Sequence, residues 1–172
     1  GSGNDSISGG LGSDTIIFGV NLTSSDTIDG GSEIDVLTFT DGNGASDDLD
    51  RVTNVETITL GNADANVTSV DTLVASGATL TVDGSGLTAG QTLTWTGSAE
   101  NDGSFNITGG AAADTIIGGA GSDSITSGSG NDSISGGAAN DTLVFGVNLT
   151  SSDTIDGGSG TGDVLTFTDG NG

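Results

Sequence analysis

Short runs of alternating apolar and polar residues recur along the chain, divided by turns rich in glycine, serine and aspartate. A period of two predicts β-strands that bury one face. VETITL (55–60), ATLTVD (78–83), QTLTWT (91–96) and SFNIT (104–108) are clear cases. Helical spacing is suggested only over 46–54, SDDLDRVTN, where a short helix is the expectation. The chain therefore reads as all-β.

A nine-residue frame is superimposed on this alternation. Residues 109–144 divide into GGAAADTII, GGAGSDSIT, SGSGNDSIS and GGAANDTLV. The chain opens with the same unit, as GSGNDSIS (1–8) and GGLGSDTII (9–17). The sixth position is Asp5, Asp14, Asp114, Asp123, Asp132 and Asp141; the eighth is Ile7, Ile16, Ile116, Ile125, Ile134 and Leu143. Glycines allow a tight turn, and the aspartate places a carboxylate at its end. The last three residues form a strand whose middle side chain faces inward. One inward Ile per nine residues builds no core alone, but stacked coils do, which predicts a β-solenoid.

A longer period lies over the nonapeptide. Residues 1–44 recur at 128–172, with Gly162 inserted and seven substitutions, so the unit is 127 residues. This divides the chain into a segment over 1–44, a β-rich insert over 45–108, and a segment over 109–172 that holds the second copy. The insert lacks the nonapeptide; its strand spacing suits further solenoid coils or a small β-domain packed on them. The chain also lacks an initiator Met, which suggests a processed product or a window from a longer protein.

Composition narrows the function. Ile, Val, Leu, Phe and Trp total 41 of 172 residues, and the net charge is −23 with Arg51 as the one basic residue. So few large apolar residues at that charge give either a disordered chain or one that folds around cations. The repeat favours the second. Without Cys or His there is no disulfide, zinc finger, haem ligand or imidazole base. The lack of clustered Lys and Arg argues against nucleic acid and against an anionic membrane surface. No apolar stretch approaches the ~20 residues of a membrane span.

Asp residues at turn ends have two readings. They cap turns by Asx-type hydrogen bonds, or they ligate a hard divalent cation that takes six to eight oxygens. Six in one frame favour the cation. Calcium suits a flexible oxygen site better than magnesium, and zinc is disfavoured without Cys and His.

The nonapeptides of 1–17 and 109–144 resemble the RTX (repeats-in-toxin, hemolysin-type) calcium-binding repeat, and 18–44 and 145–172 resemble it more loosely. The resemblance implies a parallel β-roll with two nonapeptides per coil. Calcium would lie between turns on one side, held by the sixth-position Asp and turn carbonyls. It also implies a protein secreted unfolded from Gram-negative bacteria that folds on meeting calcium. The insert resembles those of large bacterial surface and S-layer-like proteins. Carried over by position, Asp114 pairs with Asp132, Asp123 with Asp141, Asp5 with Asp26, Asp14 with Asp35, Asp132 with Asp153 and Asp141 with Asp163. Asp26 ends a turn without glycine, and Gly162 is inserted just before Asp163. Ala112 and Ala139 replace the fourth-position glycine, which predicts strain or a missing metal in those turns.

No catalytic constellation emerges, because turn sites explain the carboxylate pairs. Asn-x-Ser/Thr sequons stand at Asn4, Asn21, Asn66, Asn106, Asn131, Asn140 and Asn148, and glycans are one class of partner to consider. The leading expectation is an extracellular structural module of a filament, sheath, S-layer or giant adhesin. It would self-associate head-to-tail or as tandem units of one chain. The alternatives are the secretion and folding tail of an RTX enzyme or toxin, and an ice- or glycan-binding adhesin region. Ninth-position Ile17, Ile117 and Val144 are expected to line a covered surface. At about 18 residues per coil and ~4.8 Å per stacked strand, the unit would advance about 34 Å.

Overall fold

The computed structural model describes residues 2–41 and 44–168. Within them the chain forms β1 (Ser6–Leu11), β2 (Thr15–Gly19), β3 (Thr27–Ser32), β4 (Val36–Phe39), β5 (Val52–Thr53), β6 (Thr57–Leu60), β7 (Ala65–Thr68) and β8 (Thr79–Asp83). It continues with β9 (Leu93–Thr96), β10 (Ser104–Thr108), β11 (Thr115–Ile117), β12 (Ser124–Thr126), β13 (Ser133–Ser135), β14 (Thr142–Gly146), β15 (Thr154–Asp156) and β16 (Val164–Phe167). Even-numbered strands form one eight-stranded parallel sheet; odd-numbered strands form a three-stranded sheet (β1, β3, β5) and a five-stranded one (β7 to β15). Successive strands alternate between faces, and each pairs with the strand one coil away. The fold is a parallel β-solenoid of the β-roll type.

Strand alternation places one apolar column down the inside of each face. On the long sheet Ile16, Leu37, Ile58, Val82, Ile107, Ile125, Leu143 and Leu165 are successive register partners. Opposite them run Val67, Trp95, Ile116, Ile134 and Ile155. Every member is buried except Ile155, which is partly buried, and Leu165 on the terminal coil. Trp95 and Phe105 meet edge-to-face across the interior, ring centroids 5.4 Å apart, and fill the wider middle coils.

Residues 45–108 enter the same sheets, as strands β5 to β10. Their coils are longer than the nonapeptide pair. Register partners lie 18 residues apart from β10 to β12, but 25 apart from β8 to β10 and 28 apart from β7 to β9. The extra residues form longer turns while the strands stay paired in parallel. One 127-residue unit, from Thr15 to Thr142, therefore spans six coils. At ~4.8 Å per rung it advances about 29 Å, less than the expected 34 Å.

Two further expectations change. Residues 46–54 form turns, with Asp50 N–H donating to the Asp47 carbonyl and Val52 N–H to the Leu49 carbonyl. The helix stops there because Val52 pairs with Ile28 of β3, and Leu49 and Val52 are both buried. The ninth-position residues form no covered apolar row. Ile17 is 73 % exposed and stands beside Thr38, and Val144 stands between Thr126 and Thr166. Ile117 lies on the opposite face, between Thr96 and Ser135. Polar neighbours on adjacent rungs break each of them out of any patch.

Candidate metal centre

Close stacking dictates the glycines. A Cβ on Gly118 would overlap the Gly136 carbonyl oxygen of the next coil and Asp123 Oδ2 of its own turn. Gly9, Gly109 and Gly136 are closed in the same way, by a carbonyl of the next coil and by Asp14, Asp114 and Asp141 respectively. Beside each first-position glycine, a carboxylate oxygen and a turn carbonyl oxygen thus converge.

The aspartates stack as a ladder. In each step one backbone N–H donates to the carboxylate one coil further on. Leu93 N–H donates to Asp114 Oδ1 (2.8 Å), Asp114 N–H to Asp132 Oδ1 (2.9 Å), and Asp132 N–H to Asp153 Oδ1 (2.7 Å). On the opposite edge Phe105 donates to Asp123 (2.7 Å), Asp123 to Asp141 (2.8 Å), and Asp141 to Asp163 (3.0 Å). Asp163 keeps its register despite the inserted Gly162. At the other end of the roll Asp5 N–H donates to Asp26 (2.8 Å) and Asp14 N–H to Asp35 (2.7 Å). All six pairs named from the sequence are brought together.

Asp35 N–H donates in turn to Glu56 Oε2, 2.8 Å away. Glu56 therefore occupies the ladder position of its coil, although no nonapeptide surrounds it. Its signal was local: Glu56 precedes Thr-Ile-Thr as Asp14 precedes Thr-Ile-Ile. Between the two acidic stretches Leu80, Phe105, Ala65 and Leu93 stand at that position, so the ladder is interrupted in the middle of the roll.

The carboxylates differ in how well protein donors serve them. Asp26, Asp35, Asp114, Asp123, Asp132 and Asp141 are buried, while Asp5, Asp14, Asp153 and Asp163 at the ends are half-buried. At Asp26, burial pushes the carboxyl up but is outweighed by N–H donors from Asp5 and Thr23 and by the Thr23 hydroxyl, so its pKa falls below the ordinary value. Asp153 behaves alike with Asp132 and Thr150. Both oxygens of these two residues are engaged, and their turns without glycine are held by threonine instead. In the nonapeptides burial wins. It raises Asp114, Asp132 and Asp141, and pushes Asp123 up to about 6, with neighbouring carboxylates adding to the rise.

These are the residues a calcium ion would suit. Oδ2 of Asp14, Asp35, Asp132 and Asp141 is buried without a hydrogen-bond partner. Such an atom is costly unless something positive meets it. Turn carbonyl oxygens converge on the same turns as these carboxylates, and carboxylate and carbonyl oxygens are the donors that calcium takes. Asp14, Asp35, Asp132 and Asp141 fit best. Asp114 and Asp123 follow, since their Oδ2 atoms also accept the Gly110 and Gly119 N–H groups at 2.6 Å.

The fourth-position substitutions divide. Ala139 sits at φ 64° and Glu33 at φ 81°, in the left-handed region that favours glycine. Ala112 has no such backbone. Ala139→Gly should stabilise the calcium-loaded chain by about 1 kcal/mol, seen as a higher melting temperature, whereas Ala112→Gly should not. Equal effects at the two positions would refute this account of the strain.

Residues 1–20 and 108–143 match the family model of the RTX calcium-binding nonapeptide repeat, in four copies. No curated protein and no solved structure matches the chain. That family is a structural and binding module, typical of secreted bacterial proteins, and its repeat implies calcium binding. No helix among the described residues is long and apolar enough to cross a membrane. With the frame, the glycine packing and the parallel coils in agreement, residues 1–20 and 108–143 are RTX calcium-binding nonapeptide repeats.

Proposed function

We propose that this chain is a structural repeat unit of an extracellular bacterial assembly, such as a filament, sheath, S-layer or giant adhesin, stiffened by calcium. The aspartate ladder is the place where calcium acts, and tandem stacking of 127-residue units is the mode of assembly. One observation carries the reading. β4 and β16 share the sequence VLTF, and β4 is covered by β6, so Leu37 and Phe39 are fully buried. One 127-residue unit further on, β14 pairs with β16 in the register in which β2 pairs with β4, down to the shift that sets Gly146 opposite Phe167 as it sets Gly19 opposite Phe39. The second copy of the sequence thus repeats the rungs of the first along one continuous roll.

Units that repeat one register along a parallel roll give a non-closing, head-to-tail array. The test is a parent gene that encodes many units, together with electron microscopy of calcium-loaded arrays of defined length. Rods that lengthen by about 29 Å per 127 residues are the expected result. A single unit beside a catalytic domain, with no rod formation, would replace this reading by the secretion and folding tail of an RTX enzyme.

Outward hydroxyls favour a second reading. Thr94, Thr115, Ser133 and Thr154 are register partners on one face, giving a regular row that can order water or meet a glycan. Thermal hysteresis would support ice binding, and its absence would remove it.

A further inference from the structure

The turns after β7 and β9 lie on the edge of the roll that also carries the turn after β11. Gly77 N–H donates to the Asp102 carbonyl (2.8 Å), and Ala120 N–H to the Glu100 carbonyl (3.0 Å). These two turns belong to the stretch where Ala65, Leu93, Leu80 and Phe105 replace the aspartate ladder. They contain no nonapeptide and fall outside the residues matched by the repeat family.

Three acids nevertheless meet there. One carboxylate oxygen from each of Asp71, Glu100 and Asp102 lies within 4.8 Å of the other two. Asp71 and Asp102 are exposed, but Glu100 is fully buried. Glu100 Oε1 accepts the Gly103 N–H (2.8 Å) and the Asp102 N–H (3.2 Å), which holds the side chain in place. Its Oε2 is buried with no hydrogen-bond partner. Asp71 Oδ1 accepts the Asn101 N–H at 3.1 Å, tying one coil's turn to the next.

A buried carboxylate with an unserved oxygen, drawn up to two further carboxylates, needs a positive group. Arg51 is the one basic side chain of the protein, on the turn that leads into β5. We propose that Asp71, Glu100 and Asp102 form a binding site for a hard divalent cation, calcium, outside the nonapeptides. The donors are all oxygen, from two successive coils, and the exposed side of the cluster leaves room for the water ligands that complete calcium's six to eight oxygens; zinc is disfavoured because neither Cys nor His is present. The site clamps the turns after β7 and β9 together where the ladder is missing. It is independent of the calcium reading of the nonapeptide aspartates.

Trp95, the single tryptophan, lies on the strand that leads into the Glu100 turn, so it can sensitise terbium bound there. The test uses the whole chain, its calcium stoichiometry by equilibrium dialysis, and terbium emission excited through tryptophan. D71N/D102N and, separately, E100Q should each bind one calcium fewer than the parent and lose most of the sensitised emission. D132N/D141N should keep that emission while losing ions elsewhere. If both D71N/D102N and E100Q keep the parent stoichiometry and emission, the proposal is wrong. If D132N/D141N alone leaves the stoichiometry unchanged, the nonapeptide reading fails and this site stands.

Discussion

Removing calcium should unfold the chain. In chelator, circular dichroism is expected to show coil, and Trp95 emission to shift to that of solvated indole. Millimolar calcium should restore both strand signal and buried tryptophan. The unfavourable side of the balance is large: a net charge of −23, and six buried aspartates in two stacked rows. The favourable side is small, since the chain has only 41 large apolar residues, and among the described residues eight of them, Ile17 and Leu11 included, are exposed. An ion that binds only the folded state at a hundred times its Kd adds about 2.7 kcal/mol, and several such ions match the 5–15 kcal/mol by which ordinary domains are stable. Each also removes two negative charges from the ladder, so its binding energy is folding energy. Magnesium at the same concentration should restore much less, because it holds its waters and demands a stricter geometry. A chelated chain with full strand content and a buried Trp95 would refute this.

The parts legible in the sequence are those where chemistry repeats at a fixed interval. The Ile positions of the nonapeptide predicted the side chains of the inner columns, and the resemblance to the RTX repeat implied which carboxylates pair. Asp132 and Asp141 show it, each bonded to the neighbour its spacing implies. Where coil length varies, the reading stops. Ile58, Val82 and Ile107 belong to the same column as Ile16, but they are separated by 24 and 25 residues, so no period connects them. Leu93 and Phe105 take ladder positions that would otherwise be Asp, a substitution visible only once the strands are in register. The Asp71, Glu100 and Asp102 cluster has the same origin. Its members come from turns of unequal length, and only stacking brings them together. Residues 46–54 failed as a helix for a tertiary reason, because β3 holds Val52 more favourably than a helical turn would. Ile17 and Val144 face outward without forming a row, because register sets Thr38, Thr126 and Thr166 beside them on the adjacent rungs.

Acid should partly replace calcium. Burial raises Asp114, Asp132 and Asp141 above the ordinary carboxylate range and carries Asp123 to about 6. In the unfolded chain these groups ionise near 3.9. A carboxyl whose pKa is higher when folded favours the folded state while it is protonated. That advantage is full below about 4 and, for Asp123, is lost as pH rises through about 6. For Asp123, a rise of about two pH units corresponds to roughly 3 kcal/mol, and the other three add in the same direction. Asp26 and Asp153 oppose it, since their lowered values give stability above the ordinary carboxylate pKa that disappears as pH falls further. The metal-free chain should therefore be most structured near pH 4, and lose strand signal both above about 6 and in stronger acid. With calcium present the first of these losses should vanish, because the ion takes over the charge that the proton had neutralised, and calcium affinity should rise across the same interval as protons leave. Asp123→Asn keeps the carboxamide in place without a charge, so in chelator at pH 7 it should hold more strand than the parent, while in calcium it should hold less. A metal-free chain that is least structured at pH 4 and gains order toward pH 7 would contradict the account of the ladder as a stack of buried charges waiting for a cation.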